Sequence, residues 1–151
     1  MRVFEAMSEQ VRTVAPTMGA ADAWHLMKTQ GMHHLVVTEK DKVVGVLSDR
    51  DIAPRRRLPS AAAAMTVAEV MSAPVATIEK GETVRKAANL MEGRTIGCLP
   101  VMQGSKLVGI ITTSDLLRLL GKGGERPTHN ERATLSHKVP HKKVHVGAGR
   151  W

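Results

Sequence analysis

The pattern of apolar and polar positions in residues 3–52 predicts a short helical start followed by a β-α-β-β-α unit. An extended segment at residues 11–14 precedes a stretch whose apolar positions recur every three or four residues, the period of an amphipathic helix. The apolar positions of this helix are Ala20, Ala23, Trp24 and Met27. Two apolar runs at residues 34–38 and 43–47 follow, joined by a polar turn as in a hairpin. A second helix then begins at Ser48 and is short, because Pro54 follows it.

The same order of signals returns at a constant offset of 64 residues. Residues 3–52 align with residues 67–116 without a gap, and 15 of the 50 positions are identical. In the second copy Thr83 has the side chain of an N-cap, and the last helix begins at Thr112 and is predicted to stop at Gly121. A repeat of this size is small for an independent core, so we expect the two copies to pack against each other. The function is therefore expected between them.

The positive charge of the chain is concentrated near its C-terminal end. The net charge of +8 is unevenly distributed, since residues 1–120 hold 15 Lys and Arg against 12 Asp and Glu, while residues 121–151 hold 7 against 2.

The predicted organisation is a first copy at 3–58, a linker at 59–66, a second copy at 67–120 and a basic tail at 121–151. The tail is predicted to be disordered, apart from a short strand at 143–146. No apolar run is long enough to cross a bilayer, and the single cysteine suits a cytoplasmic location.

Two matched segments carry a family resemblance. Gly45 to Asp51 and Gly109 to Asp115 both read Gly-hydrophobic-hydrophobic-[Ser/Thr]-x-x-Asp, and both copies open with a Met-Ser step. Together with the Leu-Pro-Val strand at 99–101, these residues resemble a CBS-domain pair, the module named after cystathionine β-synthase, over residues 3–120. The resemblance implies an α/β (α+β) fold of two β-α-β-β-α motifs, packed as a pseudo-twofold pair.

The resemblance also implies a function. In this family the pair is a non-catalytic regulatory module whose clefts hold AMP, ADP, ATP or S-adenosylmethionine, with no required cofactor. A homodimer is implied too. Carried over by matched position, Asp115 binds the ribose, Thr112 binds phosphate, and backbone segments frame the adenine. The adenine-framing residues of the second copy are Val75, Thr77, Ile96, Gly97, Cys98, Leu99 and Pro100.

The equivalent residues of the first copy differ in chemistry. Ser48 and Asp51 match Thr112 and Asp115, and the corresponding framing residues are Val11, Thr13, His33 and His34. Arg50 in the first turn of its helix is unfavourable for the helix dipole, which favours a phosphate nearby, and a solvated arginine is the alternative. The bulkier His33-His34 pair replaces Gly97-Cys98, so the second copy is the better candidate for the adenine.

Several alternatives stay open from the residues alone. Ser or Thr followed three residues later by Asp is also close to a capping box, which merely starts a helix. Cys98 reads as a small core residue rather than a nucleophile. His137, His141 and His145 have helical spacing, but Pro140 interrupts it, and no metal site is expected. The basic tail and Arg55–Arg57 allow a nucleic-acid or protein interaction adaptor instead, and a protein target regulated in trans is a third possibility.

Overall fold

The computed structural model describes residues 1–53 and 64–122. The first copy contains a 3-10 turn at Val3–Glu5, β1 at Thr13–Val14, α1 at Ala20–Gln30, β2 at His34–Glu39, β3 at Lys42–Ser48 and α2 at Asp49–Ile52. The second contains α3 at Val67–Val70, β4 at Ile78–Glu79, α4 at Val84–Arg94, β5 at Cys98–Gln103, β6 at Lys106–Thr112 and α5 at Thr113–Lys122. The predicted α/β repeat is confirmed.

Each copy forms a three-stranded mixed sheet of the same topology. β1 runs parallel to β2, which pairs antiparallel with β3, and β4, β5 and β6 repeat that order. Both hairpins carry a register shift at equivalent positions, after Val37 and after Val101. α1 and α4 bury alanine and methionine on the face predicted from the sequence, with Met27 and Met91 at 0% and 3% exposure. Thr83 caps α4 as predicted, since its hydroxyl accepts the N–H of Lys86 at 3.1 Å.

The leading segments of the two copies are exchanged. Val3 is buried in the core of the second sheet, whereas Val67 and Val70 of α3 are buried in the core of the first. Backbone hydrogen bonds hold this arrangement, because Ser8 exchanges two bonds with Ile110 and Ser72 exchanges two with Val46. Each core is therefore completed by the other copy, which makes the pair one folding unit rather than two adjacent ones.

Two glycines of the matched motif admit this exchange. A Cβ atom at Gly109 would lie 2.7 Å from the Met7 sulfur and 2.7 Å from the Ser8 carbonyl oxygen. At Gly45 the corresponding distances to Met71 and Ser72 would be 2.6 and 3.1 Å. A side chain at either position would force its neighbours to move, a backbone carbonyl at Gly109 and chiefly the Met71 side chain at Gly45. The repeated glycine of each copy thus contacts the repeated Met-Ser step of the other copy.

The two sheets meet through a third, smaller apolar cluster. Val36, Cys98 and Ile110 are its buried members, and Val46 packs against it. The predicted packing of copy against copy is confirmed by this cluster together with the exchanged segments. The result places the beginnings of β2 and β5, and of α2 and α5, around the same region of the molecule.

Some boundaries differ from the sequence predictions. Gly121 does not stop α5, which continues to Lys122, because a glycine in a last helical turn costs only about 1 kcal/mol relative to alanine. The extended segments shorten to the two-residue strands β1 and β4. The linker arginines 55–57, the strand at 143–146 and the tail histidines lie outside the described residues. Among the described residues, no helix is long and apolar enough to cross a membrane.

Candidate functional site

A cleft of about 820 Å³ opens where the two copies meet. This volume lies in the range of small-molecule and cofactor sites. Both copies supply the ends of their strands and the first turns of the following helices. The lining residues of the first copy include Ser8, Gln10, Met32, His33, His34, Val46, Ser48, Asp49, Arg50 and Asp51. Those of the second include Ser72, Thr95, Ile96, Gly97, Cys98, Ile110, Thr112, Thr113, Ser114 and Arg118.

The two helix starts at the cleft are built alike. The backbone N–H and the hydroxyl of Ser48 both donate to Oδ2 of Asp51, at 2.8 and 3.0 Å. The same atoms of Thr112 donate to Oδ2 of Asp115, at 2.8 and 2.9 Å. Both aspartates therefore act as helix caps, as the structural alternative predicted. The cap uses one carboxylate oxygen, which leaves Oδ1 as the atom with which each aspartate meets other groups.

The arginines of the cleft break the symmetry of the repeat. Arg50 aligns with Ser114, and Arg118 aligns with position 54, a proline, so each copy supplies one arginine from a different helical position. Arg118 donates to Oδ1 of Asp115 at 3.0 Å. The Arg50 guanidinium forms no hydrogen bond or ion pair with any residue that the structure describes. Within residues 1–53 and 64–122, Arg50 is thereby a cation at the cleft without a partner.

A charged cluster borders the first copy's part of the cleft. Nδ1 of His33 lies 2.8 Å from Oδ2 of Asp49, and the Lys28 ammonium lies 3.9 Å from the same oxygen. Lys28 also stacks over the Trp24 ring, 4.4 Å from its centre. Burial alone would raise the pKa of Asp49, but the His33 hydrogen bond and the Lys28 charge outweigh burial and lower that pKa. Asp49 is therefore ionised, and its negative charge is paired with Lys28 and hydrogen-bonded to His33.

His34 connects the two copies inside the cleft. It is the first residue of β2 and pairs with Ser48, so its half-buried ring lies beside the start of α2. A Cβ atom at Gly97, in the other copy, would lie 3.4 Å from Nε2 of His34. Burial lowers the pKa of His34 below its ordinary value of 6.5, and His33 and Arg50 add to this effect, while Asp49 and Asp51 oppose it.

Cys98 lines the cleft with a protonated thiol. It is 3% exposed and packs between the sheets. Burial, with a smaller contribution from the Asp51 carboxylate, raises the pKa of this thiol to about 12. Since the thiolate is the reactive form of cysteine, the side chain acts as a small apolar residue.

The structure brings nine of the sixteen predicted ligand residues to the wall of the cleft. These are Ser48, Arg50, Asp51, His33, His34, Ile96, Gly97, Cys98 and Thr112. Asp115 does not itself line the cleft, but its carboxylate accepts hydrogen bonds from Thr112 and Arg118, which do. Leu99 and Pro100 are fully buried, so their side chains belong to the core. Val11, Thr13, Val75 and Thr77 do not line the cleft either, and only their backbones remain candidates for framing a base.

Sequence reasoning missed several lining residues. Ser8 and Ser72 were visible as a repeated Met-Ser step, but their place depends on the exchange of the leading segments. Arg118 was missed because it lies one helical turn beyond the motif. Thr95 ends α4 in a left-handed conformation, with a φ of 53°, and no local pattern announces that. Within residues 1–53 and 64–122, no group of three His, Cys, Asp or Glu side chains could hold a metal ion.

The fold and the cleft define a class of protein: a tandem α/β repeat with a ligand-sized cavity where its copies meet. The family model for the CBS domain matches residues 3–56 and again residues 67–122. The chain belongs to the CBS domain family, whose tandem pairs are regulatory modules. The predicted resemblance is confirmed at both positions.

Known proteins agree with this assignment. The CBS domain-containing protein YhcV of Bacillus subtilis is 33% identical over 114 residues, which cover 76% of this chain and 81% of that protein. A homoserine O-acetyltransferase of Methanosphaerula palustris is 33% identical over 123 residues, but these are 80% of this chain and only 24% of the enzyme. The CBS domain pair of protein MJ0100, in complex with 5′-methylthioadenosine and S-adenosyl-L-methionine, superposes with a TM-score of 0.72 at 26% identity, covering 80% of this chain and 96% of that one.

Proposed function

We propose that this protein is a non-catalytic regulatory module that binds an adenosine-containing ligand in the cleft between its two copies. The observation that carries the proposal is the shared cleft itself, with Ser48 and Thr112 at two helix starts and beside them Arg50, which has no partner among the residues described. The MJ0100 domain pair, whose structure holds two adenosine derivatives, supports the ligand class. AMP, ADP, ATP and S-adenosylmethionine are the candidates, and no further cofactor is required.

A ligand in this cleft would act on the relation between the copies. It shifts the equilibrium between two arrangements only by the difference of its affinities for them. Residues from both copies line the cleft, so changes in their relative position alter the site directly. We propose that a protein target reads this change, or a rearrangement of a homodimer, in the cytoplasm. The acetyltransferase activity is not part of the proposal, because the chain corresponds to 24% of that enzyme.

The homodimer part of the proposal rests on α5. Leu117 and Leu120 lie one turn apart on this helix and are 67% and 77% exposed. A second copy would remove this apolar surface from water. Sedimentation of the full chain and of Leu120→Lys tests this step. The variant is expected to sediment as a monomer at concentrations where the unaltered chain is a dimer, and a monomeric unaltered chain contradicts the dimer.

The ligand is tested by calorimetry and thermal shift with AMP, ADP, ATP and S-adenosylmethionine on ligand-free protein. A ligand at 100 times its Kd stabilises the fold by about 2.7 kcal/mol. No response to any of the four would contradict the proposed function.

The site is tested by Asp115→Ala, with Glu69→Ala as a matched control. Glu69 accepts from the N–H and hydroxyl of Thr66 at 2.7 and 3.2 Å, the same capping arrangement at a helix that does not line the cleft. Both variants are expected to lose about 1 kcal/mol of stability. Only Asp115→Ala is expected to lose affinity, and equal affinity in the two variants contradicts the site.

A further inference from the structure

We propose that His34 selects the ligand, by taking up a proton when an adenosine ligand that carries a phosphate enters the cleft. The inference rests on the proposed function, because it takes the cleft to be the adenosine site. It adds a specificity-determining residue and a ligand class, since phosphorylated adenosine ligands gain from this proton and adenosine derivatives without a phosphate do not.

The imidazole of His34 has no chemical counterpart in the second copy. Its ring lies beside Ser48, at the start of α2, and reaches Gly97 across the cleft. The repeat places Cys98 at the same position of the second copy, and that side chain is a protonated thiol at neutral pH. His33 also lines the cleft, where its ring pairs with Asp49 of its own copy, whereas the His34 ring approaches Gly97 of the other copy.

The charges around the cleft leave room for one more proton. Asp49 is paired with Lys28 and Arg118 with Asp115, which leaves Arg50 and Asp51 as the opposite charges of the cleft without an ion-pair partner in the described part of the chain, so the formal charges cancel. A bound phosphate monoester brings about −1.5 to −2 charges. The groups that face His34 are His33 on its own strand and Asp49, Arg50 and Asp51 on α2, while Gly97 across the cleft is uncharged. A proton on His34 is the change that offsets the excess negative charge.

The direction of the effect follows from burial. His34 is neutral in the free protein at pH 7, because burial keeps its pKa below 6.5. An anion nearby favours the charged ring and raises that pKa. Binding of a phosphorylated ligand then takes up a proton on His34 at pH values between its lowered pKa in the free protein and its raised pKa in the complex, and in that range the affinity rises as the pH falls. A ligand without phosphate gives no such gain.

The test compares AMP with 5′-methylthioadenosine by calorimetry at pH 6, 7 and 8. Buffers of different ionisation enthalpy report the protons taken up. The proteins are the full chain, His34→Gln and the control His25→Gln, whose ring is exposed on α1 outside the cleft. The AMP phosphate itself titrates near pH 6 in every case, so the difference between the full chain and His34→Gln is the quantity of interest.

The full chain and His25→Gln are expected to take up more protons with AMP than His34→Gln does. At pH 6 the preference for AMP over 5′-methylthioadenosine is expected to fall about tenfold in His34→Gln, the scale of one charge-assisted hydrogen bond. His34→Cys, which copies the second copy's residue, gives the same result if His34→Gln does not fold. Unchanged preference and proton uptake in both variants overturn the inference alone. Failure of the full chain to bind either compound contradicts the proposed function as well.

Discussion

Nε2 of His34 in the first copy lies 3.4 Å from the position that a Cβ atom would take at Gly97 in the second. The repeat aligns His34 with Cys98 and Gly97 with His33, so the two halves of the cleft are unequal at this point. One half contributes a ring, and the other contributes backbone that a ligand can approach closely. The contact therefore relates the sequence difference between the copies to the shape of the site.

Gly97→Ala is the first test of this asymmetry. The distance of 3.4 Å is an ordinary van der Waals contact, so the methyl group fits the free protein without a clash. We expect the free energy of unfolding to stay the same or to rise by up to about 1 kcal/mol, because alanine restricts the unfolded chain. Affinity for the adenosine ligand is expected to fall, because the added methyl takes space on the ligand's wall. Overpacking typically costs about 1–3 kcal/mol, or roughly 5- to 100-fold in Kd.

Gly81→Ala is the matched control for this prediction. Nothing lies within 4 Å of a Cβ atom there, and Gly81 does not line the cleft. Denaturant unfolding and calorimetry on both variants separate stability from binding. Equal ligand affinity in Gly97→Ala and Gly81→Ala would remove Gly97 from the ligand wall.

His34 makes stability depend on pH in a predictable direction. Because burial lowers its pKa in the folded protein below 6.5, the unfolded chain binds a proton more readily. His34 therefore leaves the free energy of unfolding unchanged above pH 6.5 and lowers it progressively as the pH falls from 6.5 towards the pKa of His34 in the folded protein. We expect His34→Gln to gain stability relative to the unaltered chain between pH 7 and pH 5.5. Urea unfolding of both proteins measures the difference, and a constant difference across this range would contradict a buried neutral ring.

The sequence predicted most of the secondary structure because each signal is local. Short apolar runs joined by polar turns specify the hairpins, and the helical period specifies which faces of α1 and α4 are buried. The exchange of the leading segments could not be predicted in this way. Val3 and Val67 occupy equivalent positions, and either could complete either core as far as local pattern is concerned. Only packing in three dimensions decides which sheet each segment joins.

Only part of the candidate site could be predicted from the sequence. The helix starts at Ser48 and Thr112 follow from the matched motif, and their capping bonds have the predicted partners. Arg118 lies outside the motif and reaches the cleft only through the direction of α5. Asp115 was predicted as a ribose acceptor, and that role stays a prediction. The structure shows its carboxylate holding Thr112 and Arg118.

Gly109→Ala tests the exchange through the contact that permits it. A Cβ atom there would lie 2.7 Å from the Ser8 carbonyl oxygen, a backbone atom that cannot turn aside. We expect a loss of about 1–3 kcal/mol in the free energy of unfolding, the usual cost of overpacking. Gly45→Ala is expected to cost less, because its nearest neighbour is the flexible Met71 side chain and the Ser72 oxygen is 3.1 Å away.

Gly93→Ala is the control for the two glycine variants. Gly93 lies within α4 with nothing inside 4 Å of its Cβ position, so alanine is expected to stabilise the helix by about 0.5–1 kcal/mol. Chemical denaturation of the three variants gives the order of their free energies of unfolding. If Gly109→Ala is as stable as Gly93→Ala, the leading segment does not pack against β6 as described.

Cys98 allows the opening of the two copies to be measured chemically. It is the only cysteine of the chain, so every alkylation event reports this site. A thiol with a pKa of about 12 against an ordinary 9.0 has roughly a thousandth of the thiolate at pH 8. We expect iodoacetamide to react at least about 10³ times more slowly with the folded protein than with the protein in guanidinium. If reaction proceeds through an open state that cannot hold ligand, AMP at 100 times its Kd slows it about a further hundredfold. A folded protein that is alkylated as fast as the unfolded chain would show that the cluster between the sheets does not bury this thiol.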